Sequence, residues 1–540
     1  MHDIVFIHAP AFLDFRNTLR DYGPISDVIP SLPIFETYPV GFISLLTYLE
    51  KNGFRARIFN LGVKMIMDPK ARVNDILRKI KAKIYAVDLH WMVHLNSSLY
   101  VARKIKEIHK APILLGGLSA TYYWKDLIKL PYIDFIIRGD STEKPVKMLV
   151  ESLIESKGSL REIPNLVWKK NNKIVENAFN YVPQDLEPVD YSIFIKCAAR
   201  DGYTDYLPFA SFQDAPITSI LTVKGCTQNC IACGGSNFSY RNFFNRKSLA
   251  KKSVKAIIEE LKSISERIRT SVFFVGDLQQ TGLAKEILKA IREEDVDNEL
   301  IFEFFNPPDR EILTYYEKAG NRVFLQISPE SHEEEVRISQ GRIYTNRQLL
   351  KFFKNVLRMN FARLDVYFMI GLAEQTLQSA INTAKFAAKI ISKKIDSFIA
   401  PLAPFIDPGS LAFEMPEKFG YRLFSRSLSF HSRLLQRRVW YEMLNYETQY
   451  LSRRDIAKST YQAVKILIKS KYEKGLMDHE TYERIMKTVN IRERGVIPEL
   501  SLDSRILATL KELYPSRSLI MSLKLRAYLD ALLGFICRCI

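Results

Sequence analysis

Short apolar runs rich in β-branched residues alternate with stretches at helical spacing over most of this chain, in two successive series. In the first series Ile4–His8, Ala56–Leu61, Ile84–Asp88, Ile113–Leu115 and Phe135–Arg138 read as strands. Pro39–Asn52, Arg72–Lys81, Ser97–His109 and Glu143–Glu155 read as helices. Pro39 suits a helix's first turn and Gly53 its C-terminal cap. This alternation predicts a parallel, doubly wound, Rossmann-like α/β sheet with ligands at the strand C-termini. In the second series the strands are Ile217–Lys224, Ser271–Gly276, Leu300–Phe305, Val323–Ile327, Leu364–Ile370 and Ser397–Leu402. The helices between them include Leu249–Ile264, Leu283–Glu293, Asp309–Ala319, Asn346–Arg358 and Ser379–Ser392. Six βα units fall short of the eight of a closed barrel, and no further strands complete it.

The first strand of the second series runs into Lys224-Gly225-Cys226-Thr227-Gln228-Asn229-Cys230-Ile231-Ala232-Cys233-Gly234-Gly235. Three thiols thus share one Gly-flanked loop at a strand's C-terminal end, and soft thiolates this close can hold three corners of one Fe–S cluster. Cys197 is the only other cysteine before the extreme C-terminus. A closed structural site takes four protein ligands, so one iron would keep an open position. The bland alternatives are three buried apolar cysteines or an incomplete zinc site, but free cysteines are usually scattered.

The spacing CxxxCxxC on a loop after a strand resembles the radical SAM superfamily. That resemblance implies a [4Fe–4S] cluster on Cys226, Cys230 and Cys233, with S-adenosylmethionine (SAM) chelated at the open iron. It also implies that residues 214–410 form a partial (β/α)6 TIM-barrel core. Val275-Gly276-Asp277 stands in the place of the family's GGE-type motif, which implies SAM contacts at Gly276 and Asp277. Ser328-Pro329-Glu330-Ser331 looks like the ESG-type turn, which implies contacts from Ser328 and Glu330. Gly371-Leu372-Ala373-Glu374-Gln375-Thr376 resembles GLPGET with Ala373 for Pro, and Asp407-Pro408-Gly409-Ser410 resembles the closing PGT turn. The residue before the third cysteine is commonly aromatic in that family and packs near the adenine; here it is Ala232, so the adenine contact must be made differently.

Gly116-Gly117 and Gly139 end strands in the first series, where glycine permits close backbone approach to a cofactor. Pro39-Val40-Gly41, Asp88-Leu89-His90, Gly116-Gly117-Leu118-Ser119 and Arg138-Gly139-Asp140-Ser141-Thr142-Glu143 together resemble the cobalamin-binding domain. The last of these looks like the RGEGE-type turn found when that domain precedes a radical SAM core. The resemblance implies cobalamin contacts from Tyr38, Gly41, Asp88, Leu89, Gly116, Gly117 and Gly139. Many such domains carry DxHxxG, whose His ligates cobalt. Here Glu36-Thr37-Tyr38-Pro39-Val40-Gly41 keeps the Gly and puts Tyr38 at the His position, which implies cobalamin without His coordination. His90 and His94 are imaginable substitutes, although ordinary hydrogen bonding at a strand end is the simpler reading.

A chain of 540 residues is too long for one core. We divide it into a cobalamin-binding domain at 1–157, a connector at 158–213, the radical SAM core at 214–410 and a helical domain at 411–540. The connector carries a hairpin from Asn165 to Val175 around Asn171-Asn172. The last segment has few Gly and Pro residues; its Arg422, Arg426, Arg433, Arg437 and Arg438 are interleaved with Phe424, Phe430, Trp440 and Tyr441. That pattern suits a helix with a core face and a charged face, and secondarily stacking on RNA. A net charge of +18 favours anionic partners, but no RNA-binding motif accompanies it, so nucleic acid is not the favoured partner. No apolar run is long enough to span a bilayer, and Met1-His2-Asp3-Ile4 enters a strand without a basic n-region. Six cysteines are too few for a disulfide framework, so a reducing cytoplasm is expected. Cys537-Arg538-Cys539-Ile540 superficially resembles a prenylation box, which Arg538 argues against.

The resemblance covers roughly the first three-quarters of the chain. It implies an enzyme that cleaves SAM to methionine and a 5′-deoxyadenosyl radical, abstracts hydrogen from an unactivated carbon, and adds a methyl group from methylcobalamin. A low-potential electron donor is implied, and the substrate (small molecule, lipid precursor or peptide) is open. Alternatives are a radical SAM rearrangement or ring contraction, a non-catalytic cobalamin or Fe–S sensor, and a tRNA methylthiotransferase. The last would need a second cluster on N-terminal cysteines, and residues 1–196 hold none.

Overall fold

The computed structural model describes residues 1–18, 20–21, 34–171 and 173–495; the Cys537–Ile540 stretch lies outside them. Its first sheet has seven strands: β1 (His2–His8), β2 (Ala56–Asn60), β3 (Ala82–Asp88), β4 (Ile113–Gly116), β5 (Phe135–Ile137), β6 (Leu166–Lys170) and β7 (Lys173–Glu176). Their order is β2-β1-β3-β4-β5-β6-β7. The first five are parallel, and β1 and β3 are almost wholly buried, as a sheet covered on both faces requires. The order of strand addition reverses between β1 and β3, which opens a crevice at their C-terminal ends. Helix Gly41–Lys51 buries Phe42, Ile43, Leu46 and Leu49, and Gly53 follows its cap at φ +84°. The hairpin read from sequence as part of the connector instead extends this sheet: β6 pairs antiparallel with β5.

The second sheet contains β8 (Ile217–Leu221), after which β9 (Val223–Lys224) pairs antiparallel with β10 (Ala250–Lys251). It continues through β11 (Ser271–Val275), β12 (Leu300–Phe304), β13 (Val323–Glu330), β14 (Arg363–Ile370) and β15 (Ile395–Pro401). The order β15-β14-β13-β12-β11-β8 is parallel throughout and unclosed, which is the expected partial barrel. Phe302 and Phe304 meet Tyr316 of the outer helix layer, and Phe368 meets Phe386. Strand alternation therefore turns Glu303 and Tyr367 into the lumen.

The C-terminal segment is mainly helical but holds the ribbon β16 (Tyr421–Leu423) and β17 (Tyr446–Thr448). The basic stretch is not one helix: Arg422 lies in β16, and Ser427 caps a new short helix, Leu428–Leu434. Helix Arg453–Glu473 packs along helix Leu377–Ile390 and β15, covering the open edge of the barrel. No helix among the described residues is long and apolar enough to cross a membrane.

Candidate active site at the facing strand ends

The cysteine loop is built by its neighbours. Gly225 takes φ +95°, and a Cβ there would lie 3.0 Å from Arg246 Cδ. Gly341 abuts the loop from the other side, where a Cβ would come within 2.6 Å of the Asn229 carbonyl oxygen. Gly234 donates to Asp407 Oδ2 at 3.0 Å, so the turn expected to close the core instead grips the loop. Burial pushes the Asp407 carboxyl up to about 6. The amides of Gln228 and Gly235 lie 3.3 Å from the sulfurs of Cys226 and Cys233. Such N–H···S contacts support thiolate charge and suit cluster ligands. Burial pushes the Cys226 and Cys230 thiols up, Cys230 to about 11, while nearby Arg342 pulls both back down. Among the described residues no three His, Cys, Asp or Glu side chains gather around one point suited to a single ion.

Beneath this loop the expected SAM residues divide. Gly276, at φ +87°, donates its amide to Glu303 Oε1 at 2.5 Å. Asp277 is 3% exposed and holds backbone amides on both oxygens, Gln279 at 3.0 Å and Phe305 at 3.1 Å. It therefore shapes the turn, and Glu303, near Cys226, is a further carboxylate there, which burial pushes up to about 6. Ser328 lies on β13, and Glu330 ends that strand at φ +67°. Glu330 accepts from Arg342 Nε at 2.9 Å. Burial pushes the Glu330 carboxyl up against the pull of Arg342, whose guanidinium also lies 5.6 Å from the Phe305 ring. Sequence reading missed Glu303 and Arg342. Glu303 left a trace, a lone acid at an inward position of an apolar strand; Arg342 left none.

The first sheet presents its own polar floor at the crevice. His8 and Asp88 end β1 and β3, with His8 Nδ1 2.9 Å from Asp88 Oδ1. His94 Nδ1 is 2.9 Å from the Ala9 carbonyl oxygen, and the His8 and His94 ring centroids are 4.7 Å apart. His8 Nε2, Asp88 Oδ2 and His94 Nε2 are buried without hydrogen-bond partners among the described residues. Gly117 takes φ +116°, and a Cβ there would lie 2.7 Å from Leu89 O and His90 N, so only glycine lets the β3 and β4 loops touch. Gly116 opens onto free space, as does Gly41. Gly139, at φ +118°, donates to Thr121 Oγ1 at 3.0 Å. Unanswered polar atoms beside bare glycine backbone fit the amide-fringed ring of cobalamin. Tyr38 differs from the rest: it is 3% exposed, and its hydroxyl donates to the Tyr206 carbonyl at 2.8 Å, so its role is packing against Phe42.

The two strand-end faces are joined by the turn after β5. Asp140 takes both a 2.5 Å bond from Arg246 Nε and a 2.9 Å bond from a terminal nitrogen of Arg246. Glu143 accepts from Ser44 Oγ at 2.7 Å and meets Lys224 Nζ at 3.5 Å.

Residues 34–147 match the family model described as the B12 binding domain, and residues 220–387 match that of the radical SAM superfamily. The chain is a B12-binding-domain-containing member of the radical SAM superfamily, and its cofactors are a [4Fe–4S] cluster, S-adenosylmethionine and cobalamin. It is a cobalamin-dependent radical SAM enzyme in its domain make-up. No curated protein matches it by sequence. Among solved structures it is similar to TsrM, a radical S-adenosylmethionine methyltransferase from Kitasatospora setae, at 14% identity and a TM-score of 0.57, covering 79% of each chain. That TsrM structure holds a tryptophan substrate and a SAM analogue. It is also similar to OxsB, a cobalamin-dependent S-adenosylmethionine radical enzyme with aqua-cobalamin bound, at 13% identity and a TM-score of 0.57. That match covers 95% of this chain and 75% of OxsB, and at such identities both likenesses speak for the fold.

Proposed function

We propose that this enzyme methylates an unactivated carbon of a compact, polar small molecule. The observation that carries the reading is that the crevice of the first sheet and the cysteine loop of the second meet across one turn, Arg138–Glu143. When bound, the cluster with SAM supplies hydrogen abstraction and cobalamin supplies the methyl group. Cys226, Cys230 and Cys233 would hold three irons. Glu303, a carboxylate near Cys226 with no ion pair among the described residues, would accept the methionyl ammonium, a charge-assisted contact in a half-buried setting. Arg342, fixed by Glu330, would answer the methionyl carboxylate, with Gly276, Asp277 and Ser328 shaping that wall. Leu89, Gly116, Gly117, Gly139, Gly41 and Asp88 would line the corrin, with Tyr38 packed behind. A low-potential donor would deliver the electron to the exposed side of the loop, where Cys233 is accessible.

Substrate polarity follows from the lumen. Gln326 is 7% exposed, neighbours Glu303 across the strands, and its amide has no hydrogen-bond partner among the described residues. The Tyr367 ring stacks on Phe398 at 5.1 Å, and its hydroxyl is likewise unanswered. Polar side chains that face the lumen without a protein partner favour a ligand that hydrogen-bonds them, which supports a polar substrate over a lipid precursor. A test is anaerobic reconstitution with iron, sulfide, hydroxocobalamin, a strong reductant and SAM carrying a deuterated methyl group, supplied with a polar metabolite extract. Mass spectrometry should find 5′-deoxyadenosine and a product heavier by one labelled methyl, both lost in the Cys226→Ala, Cys230→Ala, Cys233→Ala variant. Deoxyadenosine with an isomerised, unlabelled product would favour rearrangement. Cobalamin binding without SAM cleavage in the presence of extract would favour a sensor.

A further inference from the structure

We infer that the Asp140–Glu143 turn is a two-pronged clamp that sets the position of the cluster loop relative to the cobalamin face. The inference rests on reading those two faces as the cofactor sites. Three residues of one turn, Asp140, Ser141 and Glu143, reach Arg246 and Lys224, which both adjoin Gly225 at the start of the other domain's cysteine loop. Arg246 is the first prong's target: its side chain is 1% exposed, and that of Asp140 is 6% exposed. Beyond Asp140, Arg246 donates to the Pro183 carbonyl at 2.9 Å and lies 3.4 Å from Ser141 Oγ. Its aliphatic stem fills the space that a Gly225 side chain would need, one residue before Cys226. The second prong, Glu143, meets Lys224, the residue just before Gly225. Ser44, on the first helix of the cobalamin domain, fixes the same Glu143 oxygen.

The turn is itself anchored at its base. Arg138 is 4% exposed and sits between the Trp124 and Phe179 rings, at 5.0 and 4.9 Å. It donates to Glu176 Oε1 at 2.5 Å and to the Asn177 carbonyl at 2.8 Å. Gly139, between base and prongs, follows the end of β5. A bidentate, buried guanidinium–carboxylate pair is directional as well as strong, and a merely adhesive interface would not need one. Breaking it strands a buried charge, so the arrangement is all-or-none. Asp140, Glu143, Arg246 and Lys224 are thus positioning residues: none is assigned a cofactor atom, and each holds the first thiol's backbone to the strand end that carries Gly139.

Hydrogen–deuterium exchange on cofactor-free protein tests this directly. In Asp140→Asn and, separately, Glu143→Gln, amides 225–235 should exchange about tenfold faster, the expected effect of opening one local contact network. Amides of helix Leu377–Ile390 should not change. Unchanged exchange in the loop would overturn the clamp, as would an equal rise everywhere, which is ordinary destabilisation. Glu143→Gln removes the more exposed prong and leaves the buried pair intact, so it remains informative if Asp140→Asn does not fold. On loaded protein, dipolar electron paramagnetic resonance between the reduced cluster and cob(II)alamin should give a narrow distance distribution in the parent and a broader one in both variants. An equally narrow one in the variants would also overturn the clamp. A parent that loads neither cofactor would sink the functional reading, while the exchange result still decides the clamp.

Discussion

His94 shows how a single residue ties the cofactor face to acid stability. Burial pushes it down to about 3, and the neighbouring His90 to about 4, so both stay neutral when folded. Unfolded histidine titrates near 6.5, so below that value the unfolded chain binds protons the folded one refuses. This contribution is fully present above about pH 6.5 and is lost as pH falls. Glu303 and Asp407, both pushed up to about 6, act with the opposite sign and soften the slope. Urea unfolding of cofactor-free protein should lose about 2 kcal/mol from His94 between pH 7 and 5. His94→Gln should flatten that limb; an identical slope in the variant would remove His94 from the account. At this scale motif residues were legible where the backbone is the signal: Gly117 and Gly276 sit at positive φ where the strand-end pattern put them. Side-chain roles were less so. Asp277 occupies its expected place, but whether a carboxylate faces a ligand or a backbone amide depends on Phe305, 28 residues away. Arg342 was invisible because its partners Glu330 and Phe305 come from two other strands' ends.

Elements were legible because period-two and period-3.6 patterns report burial directly. Strands expected at Ile113–Leu115 and Leu364–Ile370 differ from the observed ones by a residue at one end. Pairing is another matter. Nothing local says that β6, while keeping β7 as its hairpin partner, should also pair with β5, since edge addition is decided by which sheet edge is near. The basic stretch misled for a similar reason: Arg-rich spacing suggests one helix, but Ser427 restarts the chain as an N-cap. The helix Arg453–Glu473 illustrates what periodicity cannot locate. Lys474, just after it, donates to the carbonyls of Ala388 and Ile391 at 2.7 and 2.8 Å, closing the C-terminus of the neighbouring helix. A cation at that end satisfies orphan carbonyls and opposes the helix dipole. Lys474→Ala should cost about 1 kcal/mol in urea unfolding, and Lys474→Arg should restore most of it. No loss in the alanine variant would leave that contact ornamental.

At the scale of the molecule, the sequence divided the chain by composition, whereas the structure stitches those parts through buried and partly buried polar links. Tyr122, after the Gly116-Gly117 turn, donates to Glu414 at 2.6 Å. Asn96 and Ser432 exchange hydrogen bonds at 2.8 and 2.6 Å, and Tyr461 donates to Asp21 at 3.1 Å. With Arg246–Asp140, these links run from the first sheet to the barrel and on to the C-terminal helices. Large multidomain chains usually melt in parts, but links largely out of water, the Arg246–Asp140 pair above all, open at the cost of stranded groups on both sides. The described molecule should therefore respond to cobalamin as one body. Cobalamin at a hundred times its dissociation constant adds about 2.7 kcal/mol to whatever unit unfolds with its site. If the stitching governs, calorimetry of apo and cobalamin-loaded protein should show the main transition, barrel included, moving upward together. Exchange protection should rise in helix Arg453–Glu473 as well as in β1 and β3. A ligand-shifted transition confined to the first sheet, with the barrel melting at its apo temperature, would mean that the halves are coupled only through the clamp. The cofactor faces would then meet by docking, and their spacing would be set when both cofactors are bound.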